Sequence, residues 1–293
     1  MRKYYLLTTA HLEDRLWFRN VQDFAIGMNY VALQAALTPG VTVLAFILMS
    51  NHVHFVLYGR EAEVRDFVNA FKTRYSLYLY REHGIRGHLR SNDLDVKEIP
   101  DDEMEALERA LAYVQMNCVA AGICGHPSQY PWGTGSAFFR SDGLSSGKPL
   151  SGMSGRARTR LTRTGLALKL PGEWRVSEAG YVLPESYVAV ELVERLYRSP
   201  GRMNYFLNSS SKARKRLEAE DDRMPAFKDQ LILQALPDLL QGLFRKSRFE
   251  DLSTEERAES IRQIRYRFSA SVHQAARICG LSYDDAARLI DCA

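Results

Sequence analysis

The sequence predicts an α+β fold, with a four-stranded antiparallel sheet packed under helices and a mainly α-helical C-terminal domain. Short β-branched and aromatic runs in the first 100 residues alternate with helical patterns in the order strand, helix, strand, strand, helix, strand, helix. This is the order of a ferredoxin-like layer. A length of 293 residues with 46% hydrophobic composition is sufficient for two cores.

Local signals predict the first half of this layer. Residues 4–9 are short, aromatic and β-prone, which predicts the first strand. Asn20 is suited to cap a helix that ends before Pro39. Residues 41–49 and 52–58 then predict two strands, and the two-residue junction between them favours an antiparallel pair.

The second half of the layer follows from helical spacing and from one proline. Residues 60–81 place apolar and aromatic side chains at helical spacing, which predicts the second helix. Residues 94–99 predict an edge strand. Pro100 precedes an acidic and then Ala/Leu/Glu-rich run, which is typical of a helix start, and Tyr113 lies on that third helix.

The composition changes after residue 139. Residues 140–169 mix glycine, serine and threonine with basic residues, which predicts a flexible basic linker. Residues 170–293 are predicted to form a helical accessory domain. Its last segment, residues 253–291, favours a helix-turn-helix around Gly280, with an ordinary αα corner as the alternative. Acidic residues at the start of the second helix would repel phosphate, so a protein partner is an alternative to base reading.

The most informative stretch reads Met-Ser-Asn-His-Val-His at positions 49–54. His52 and His54 lie two residues apart in a predicted strand, so both imidazoles project from one face while Val53 points to the other. Two neutral imidazoles side by side suit a divalent ion. An isolated pair of this kind is more often two ordinary strand histidines, so the interpretation depends on a second motif.

The second motif lies on the predicted third helix. Tyr113 and Asn117 are four residues apart and therefore share a helix face. Opposite the histidine pair, the phenol and the carboxamide oxygen would provide a nucleophile and a third metal ligand. Taken alone, Tyr113 is better explained as a half-buried aromatic side chain on an amphipathic helix.

Together these residues resemble the HUH-type single-tyrosine transposases, and most closely the REP-associated tyrosine transposases. The resemblance covers about the first half of the chain. Its motifs are the stretch at 49–54, the helix with Tyr113, Asn117, Ala121 and Gly122, and Tyr130-Pro131-Trp132. The chain departs from the family pattern at Cys118, Ala120 and Gly133-Thr134, where proline, a basic residue and Ser-Ser are common.

The resemblance implies that residues 1–139 form the catalytic domain of a transposase that nicks single-stranded DNA and transfers strands at hairpin-forming repeats. Tyr113 would form a 5′-phosphotyrosine, and His52, His54 and Asn117 would hold Mg²⁺ or Mn²⁺. The covalent bond preserves the phosphodiester energy, so a 3′-OH can reverse the step without ATP. A free phenol has a pKa near 10, and the sequence does not single out a base that would activate it.

Predicted nucleic-acid contacts lie in the basic second helix, the loop after it and the third motif. The residues are Arg65, Lys72, Arg74, Arg86 and Arg90 for phosphates and Trp132 for base stacking. A charge run is usually only a solvated helix face. Phosphate binding is favoured because the resemblance supplies a nucleic-acid substrate, and the net charge of +4 permits it without demonstrating it.

Two alternatives stay open. One is a ferredoxin-like nucleic-acid-binding or regulatory protein, derived from a transposase, that cleaves little. The other is a plasmid replication nickase with the same histidine pair, which is disfavoured because such proteins usually place the motif and the tyrosine differently. We expect a cytoplasmic protein without a membrane partner, since no apolar run reaches the roughly 20 residues of a membrane span and the cysteines form no Cys-x-x-Cys pair. A monomer is favoured over a homodimer.

Overall fold

The computed structural model confirms the α+β fold with a four-stranded antiparallel sheet. It describes residues 1–9, 16–85, 93–100, 104–121, 123–140, 147–220, 229–268, 270 and 272–291. The strands are β1 (Lys3–Thr9), β2 (Thr42–Met49), β3 (His52–Gly59) and β4 (Leu94–Ile99). Their spatial order is β2-β3-β1-β4 with antiparallel neighbours, so β3 and β1 are the central strands.

Two helices, α1 (Val21–Leu37) and α2 (Glu61–His83), cover one face of the sheet. The side chain of Asn20 accepts a hydrogen bond from the backbone N–H of Asp23, so the predicted cap of α1 is confirmed. Phe55 of β3 points into this layer, where its ring meets Phe67 and Phe71 of α2 edge to face, each at 5.9 Å. Because strand side chains alternate, His52 and His54 project from the opposite face.

The opposite face is covered by α3 (Met104–Ala120), which is in turn covered by α5 (Val190–Tyr197) and α6 (Pro200–Glu220). Arg202 of α6 donates two hydrogen bonds, of 2.6 and 2.8 Å, to the buried carboxylate of Glu108 on α3. The hydroxyl of Tyr197 donates to the carbonyl oxygen of Glu108 at 2.7 Å. The helix that carries Tyr113 is therefore fixed on both sides.

The predicted flexible linker is wrong for residues 147–169. This segment contains β5 (Lys148–Pro149), which pairs with β6 (Arg175–Val176), helix α4 (Gly155–Thr162) and a short 3-10 helix over Gly165–Lys169. Leu150 and Ala167 are fully buried. The side-chain amide of Asn29 on α1 donates to Leu161 O at 2.9 Å and ties the segment to the first core. The polar composition of this segment indicated a solvated linker, but a few buried apolar residues are enough to fix it against the first core.

The predicted domain boundary at residue 170 is also wrong. Residues up to Leu207 share one core with the sheet, because α5 and α6 pack on α3. A second core joins Leu16 to four further helices, α7 (Asp229–Phe244), α8 (Thr254–Phe268), α9 (Val272–Cys279) and α10 (Tyr283–Asp291). The helix pair expected around Gly280 is present, and Gly280 has a φ of 66°, which favours glycine at this turn. Within the described ranges, no helix has the length and apolar character needed to cross a membrane.

Candidate active site

The two histidines of β3 lie together on the face of the sheet that α3 covers. The ring centroids of His52 and His54 are 4.8 Å apart, edge to face, and the residues are 7% and 2% exposed. Both therefore occupy the interface between the sheet and α3, where neighbouring groups fix their orientation.

Each imidazole is oriented through its Nδ1 atom. His52 Nδ1 donates to the carboxamide oxygen of Asn51 at 2.8 Å. His54 Nδ1 forms a hydrogen bond of 2.9 Å with the hydroxyl of Thr8, which is the register partner of His54 on β1. With Nδ1 engaged in both rings, Nε2 is the nitrogen suited to a metal, and such supporting hydrogen bonds are usual for histidine ligands.

Tyr113 of α3 lies beside this pair. Its ring centroid is 5.5 Å from that of His54, edge to face, and the side chain is 41% exposed. Asn117, one helical turn later, donates from Nδ2 to the carbonyl oxygens of Tyr113 (2.8 Å) and Val114 (3.3 Å). The carboxamide oxygen of Asn117 is then the atom that would coordinate a cation. The predicted proximity of the phenol to the histidine pair is present in the structure through the contact with His54.

The donor set fits a cation that accepts nitrogen and oxygen ligands. No group of three or more His, Cys, Asp or Glu side chains that could hold a metal ion occurs among the described residues, so a site here needs the oxygen of Asn117 beside the two imidazoles. Cys118 follows Asn117 but is buried, and a hydrogen bond with Cys124 together with burial raises the pKa of its thiol. The thiol of Cys118 donates to Gln115 O at 3.3 Å, a hydrogen bond within α3.

The turn that precedes His52 is held by distant parts of the chain. The hydroxyl of Ser50 donates to Arg267 O on α8 at 2.9 Å, and Ser50 O accepts the backbone N–H groups of Trp17 (2.7 Å) and Phe18 (3.1 Å). The guanidinium of Arg267 is buried and donates to Phe18 O at 2.6 Å. The helical C-terminal unit therefore supports the position of the histidine strand. Sequence reasoning missed Thr8, Asn51 and Arg267 as positioning residues.

The third motif has a structural role. The hydroxyl of Tyr130 donates to Leu48 O at 2.7 Å, and Leu48 N donates to Trp132 O at 2.8 Å, so the motif lies along the outer edge of β2. A Cβ on Gly133 would come within 2.8 Å of Phe46 O, which explains the glycine at this close approach.

Trp132 is not placed for base stacking. It is 7% exposed and stacks on the ring of Phe24 at 5.1 Å. The predicted nucleic-acid contact at Trp132 is therefore wrong, because the indole completes the core.

The basic residues of α2 that were predicted to contact phosphates lie in different environments. Lys72 is buried, and burial lowers the pKa of its amine, so its role as a phosphate contact is contradicted. Arg65 is on the surface and forms an ion pair of 2.7 Å with Glu61, whereas Arg74 lines a cleft described below. The predicted contacts Arg86 and Arg90 lie outside the described residues. Helix α2 covers the face of the sheet opposite to α3, so neither surface arginine belongs to the Tyr113 site.

No protein-family model, curated protein or solved structure gives a significant match to this chain.

Proposed function

We propose that this protein nicks and rejoins single-stranded DNA through Tyr113, in the manner of an HUH-type tyrosine transposase acting next to hairpin-forming repeats. The observation that carries the proposal is the position of the Tyr113 phenol against His54, with both imidazoles held through Nδ1. Two oriented imidazoles beside an exposed hydroxyl are the parts that a metal-assisted attack on a phosphodiester requires.

The reaction is a transesterification that balances without a further reactant. The oxygen of Tyr113 attacks phosphorus, an O–P bond forms, and the bond from phosphorus to the 3′-oxygen breaks. The phenol loses a proton and the 3′-oxygen gains one, which gives a 5′-phosphotyrosine and a free 3′-OH. Attack by a 3′-OH on the phosphotyrosine reverses the step.

The residues around Tyr113 would have different roles in the reaction. His52, His54 and the carboxamide oxygen of Asn117 would hold Mg²⁺ or Mn²⁺, which withdraws charge from the phosphate when bound. Helix α3 packs directly on β2 and β3, and the hydrogen bonds from Arg202 to Glu108 hold its outer side to α6. Fixing the nucleophile in this way lowers the entropic cost of reaching an attack geometry.

The difference in burial between the groups also supports a large substrate. The imidazoles are buried, which keeps their geometry rigid, whereas the phenol is exposed at the surface. A polymer that cannot enter a closed pocket can reach such a hydroxyl. The choice of a single strand over a duplex comes from the resemblance to the single-tyrosine transposases.

Strand cleavage by the full chain tests the proposal. The substrate is a labelled single strand that carries a hairpin and a single-stranded flank, in the presence of Mg²⁺ or Mn²⁺. We expect cleavage by the unmodified protein and by Tyr205→Phe, a control that removes an exposed hydroxyl on α6. We expect no cleavage by Tyr113→Phe.

Equal cleavage by Tyr113→Phe would show that the nucleophile is another group. Binding of the strand without any cleavage, across a panel of hairpins and both metals, would favour the alternative of a nucleic-acid-binding protein that cleaves little.

A further inference from the structure

A second concave site lies on the other side of the sheet. Helices α1, α2 and α4 enclose a cleft of about 520 Å³, within the range of small-ligand sites. Four arginines line it: Arg74 and Arg81 from α2, and Arg160 and Arg163 from α4 and its end. The helices that form it pack on the Phe55 face, so the cleft is separated from Tyr113 by the sheet.

The charges in the cleft are not balanced by the protein. Glu82 is the one carboxylate among the lining residues that the structure describes, against four guanidinium groups. Within the same described part of the chain, none of the four guanidinium groups makes a hydrogen bond or an ion pair, and Arg74 Nε is buried without a partner. An unsatisfied buried donor and crowded like charges both cost free energy, and an anion would remove both costs.

The side chain of Tyr30, which lines the cleft, also indicates a concentration of positive charge there. Burial raises the pKa of Tyr30 to about 12, although Arg81, Arg74 and Arg163 act in the opposite direction on that phenol. Three of the four arginines therefore act on one point inside the cleft.

The position of Arg163 is also costly. It ends α4 with a φ of 53°, where glycine is usually preferred. Arg198 and Arg245 adopt the same conformation outside the cleft, so the strain at Arg163 supplies a matched comparison and is not itself evidence for a ligand.

We propose that this cleft is a second ligand site, which binds the phosphate group of a phosphate ester through Arg74, Arg81, Arg160 and Arg163. Guanidinium groups match phosphate oxygens with paired, charge-assisted hydrogen bonds. The phosphate belongs either to the backbone of a DNA strand or to a free nucleotide, and both sources present the same group. The site does not depend on cleavage by Tyr113.

A pair of matched variants tests this proposal. Arg163→Gly and Arg198→Gly each remove one positive charge from a helix end with positive φ, 53° and 63° respectively, and only Arg163 lines the cleft. Both changes relieve backbone strain, so both proteins should fold with melting temperatures at or above that of the unmodified protein. Arg74→Gln is a third variant, which removes the charge of the buried donor.

Two probes separate the sources of the phosphate. Titration with inorganic pyrophosphate, followed by calorimetry, reports a terminal phosphate. Anisotropy of a labelled 12-nucleotide single strand, in the Tyr113→Phe background to prevent cleavage, reports a backbone phosphate. We expect Arg163→Gly and Arg74→Gln to weaken binding of at least one probe by about 10-fold or more, and Arg198→Gly to leave both nearly unchanged.

The outcomes separate this site from the proposed nuclease. Weaker binding of pyrophosphate identifies a nucleotide-type ligand, and weaker binding of the strand alone identifies a backbone phosphate. Equal losses in Arg163→Gly and Arg198→Gly, or no binding of either probe by the unmodified protein, would overturn the proposal. The binding measurements do not require Tyr113, so they remain informative if cleavage is absent.

Discussion

On the α3 face of the sheet, two buried imidazoles lie beside an exposed phenol, whereas the α1/α2 face carries an aromatic core beneath a cleft lined by arginines. Alternation along β3 produces both faces, since His54 and Phe55 are neighbours in the chain and project in opposite directions. One strand therefore carries the candidate catalytic side chains on one face and side chains that stabilise the core on the other. Substitutions on one face of β3 should therefore impair cleavage, and substitutions on the other face should lower the free energy of unfolding.

The largest expected effect is on the α3 face. His52→Gln should lower the cleavage rate by roughly 10⁴-fold, because a metal contributes several kcal/mol of charge stabilisation to a reaction of this kind. The free energy of unfolding should change little, because glutamine is polar and similar in length. Single-turnover cleavage with Mn²⁺ measures the effect, and His126→Gln, an exposed histidine outside the site, is the control. A variant that cleaves at the normal rate would remove His52 from the mechanism.

On the opposite face, Phe55→Ala should lower the free energy of unfolding by about 3 to 5 kcal/mol. Phe55 is fully buried and contacts the rings of Phe46, Phe67 and Phe71. Urea unfolding followed by circular dichroism measures the loss. A change below about 1 kcal/mol would mean that this layer is not the stabilising core and that the two faces do not differ as described.

The pH dependence of unfolding is a further test of the α1/α2 layer. Tyr30 lies in this layer, and burial raises its pKa to about 12. A raised pKa contributes stability that is complete below the unfolded value near 10 and is lost as the pH rises through the folded value. The free energy of unfolding should therefore fall between pH 10 and 12, with about 2 to 3 kcal/mol due to Tyr30.

Tyr30→Phe isolates this contribution, because it removes the titrating hydroxyl and keeps the ring. Urea unfolding at several pH values should show a fall with pH that is smaller in the variant by that amount. Tyr266, whose pKa is also raised to about 12, should still contribute to the remaining fall. Identical pH profiles for the two proteins would contradict the burial of the Tyr30 phenol.

The smallest expected effect concerns the support of the histidines. Thr8→Val removes the hydroxyl that contacts His54 Nδ1 and keeps the shape of the side chain. Loss of such a supporting group typically costs 10- to 100-fold in metal affinity, so we expect a decrease of about 10-fold for Mn²⁺. Titration calorimetry measures it, with Thr42→Val at the start of β2 as the control. Unchanged affinity would mean that His54 is oriented by other groups.

Much of the sheet layer could be predicted because its signals are local. The alternation of side-chain direction in β3 and the cap at Asn20 depend on residues close in sequence, and both agree with the structure. The same holds for the shared face of Tyr113 and Asn117, which follows from the period of a helix.

The parts that could not be predicted depend on residues far apart in the chain. Thr8 acts on His54 through strand register, and Arg267 reaches Ser50 across more than 200 positions. Burial of Lys72 and Trp132 is likewise decided by tertiary packing, so their polar and aromatic character misled the prediction of DNA contacts. The prediction of a flexible linker was wrong for the same reason, since packing against α1 orders a segment of polar composition.

The most direct test of the central claim is to trap the protein on a hairpin-bearing single strand with Mn²⁺ and to map the covalent adduct by mass spectrometry. We predict a nucleotide linked through a 5′-phosphate to the peptide that contains Tyr113. An adduct on any other residue, or efficient cleavage without an adduct, would contradict the proposal that the phenol beside His54 is the nucleophile.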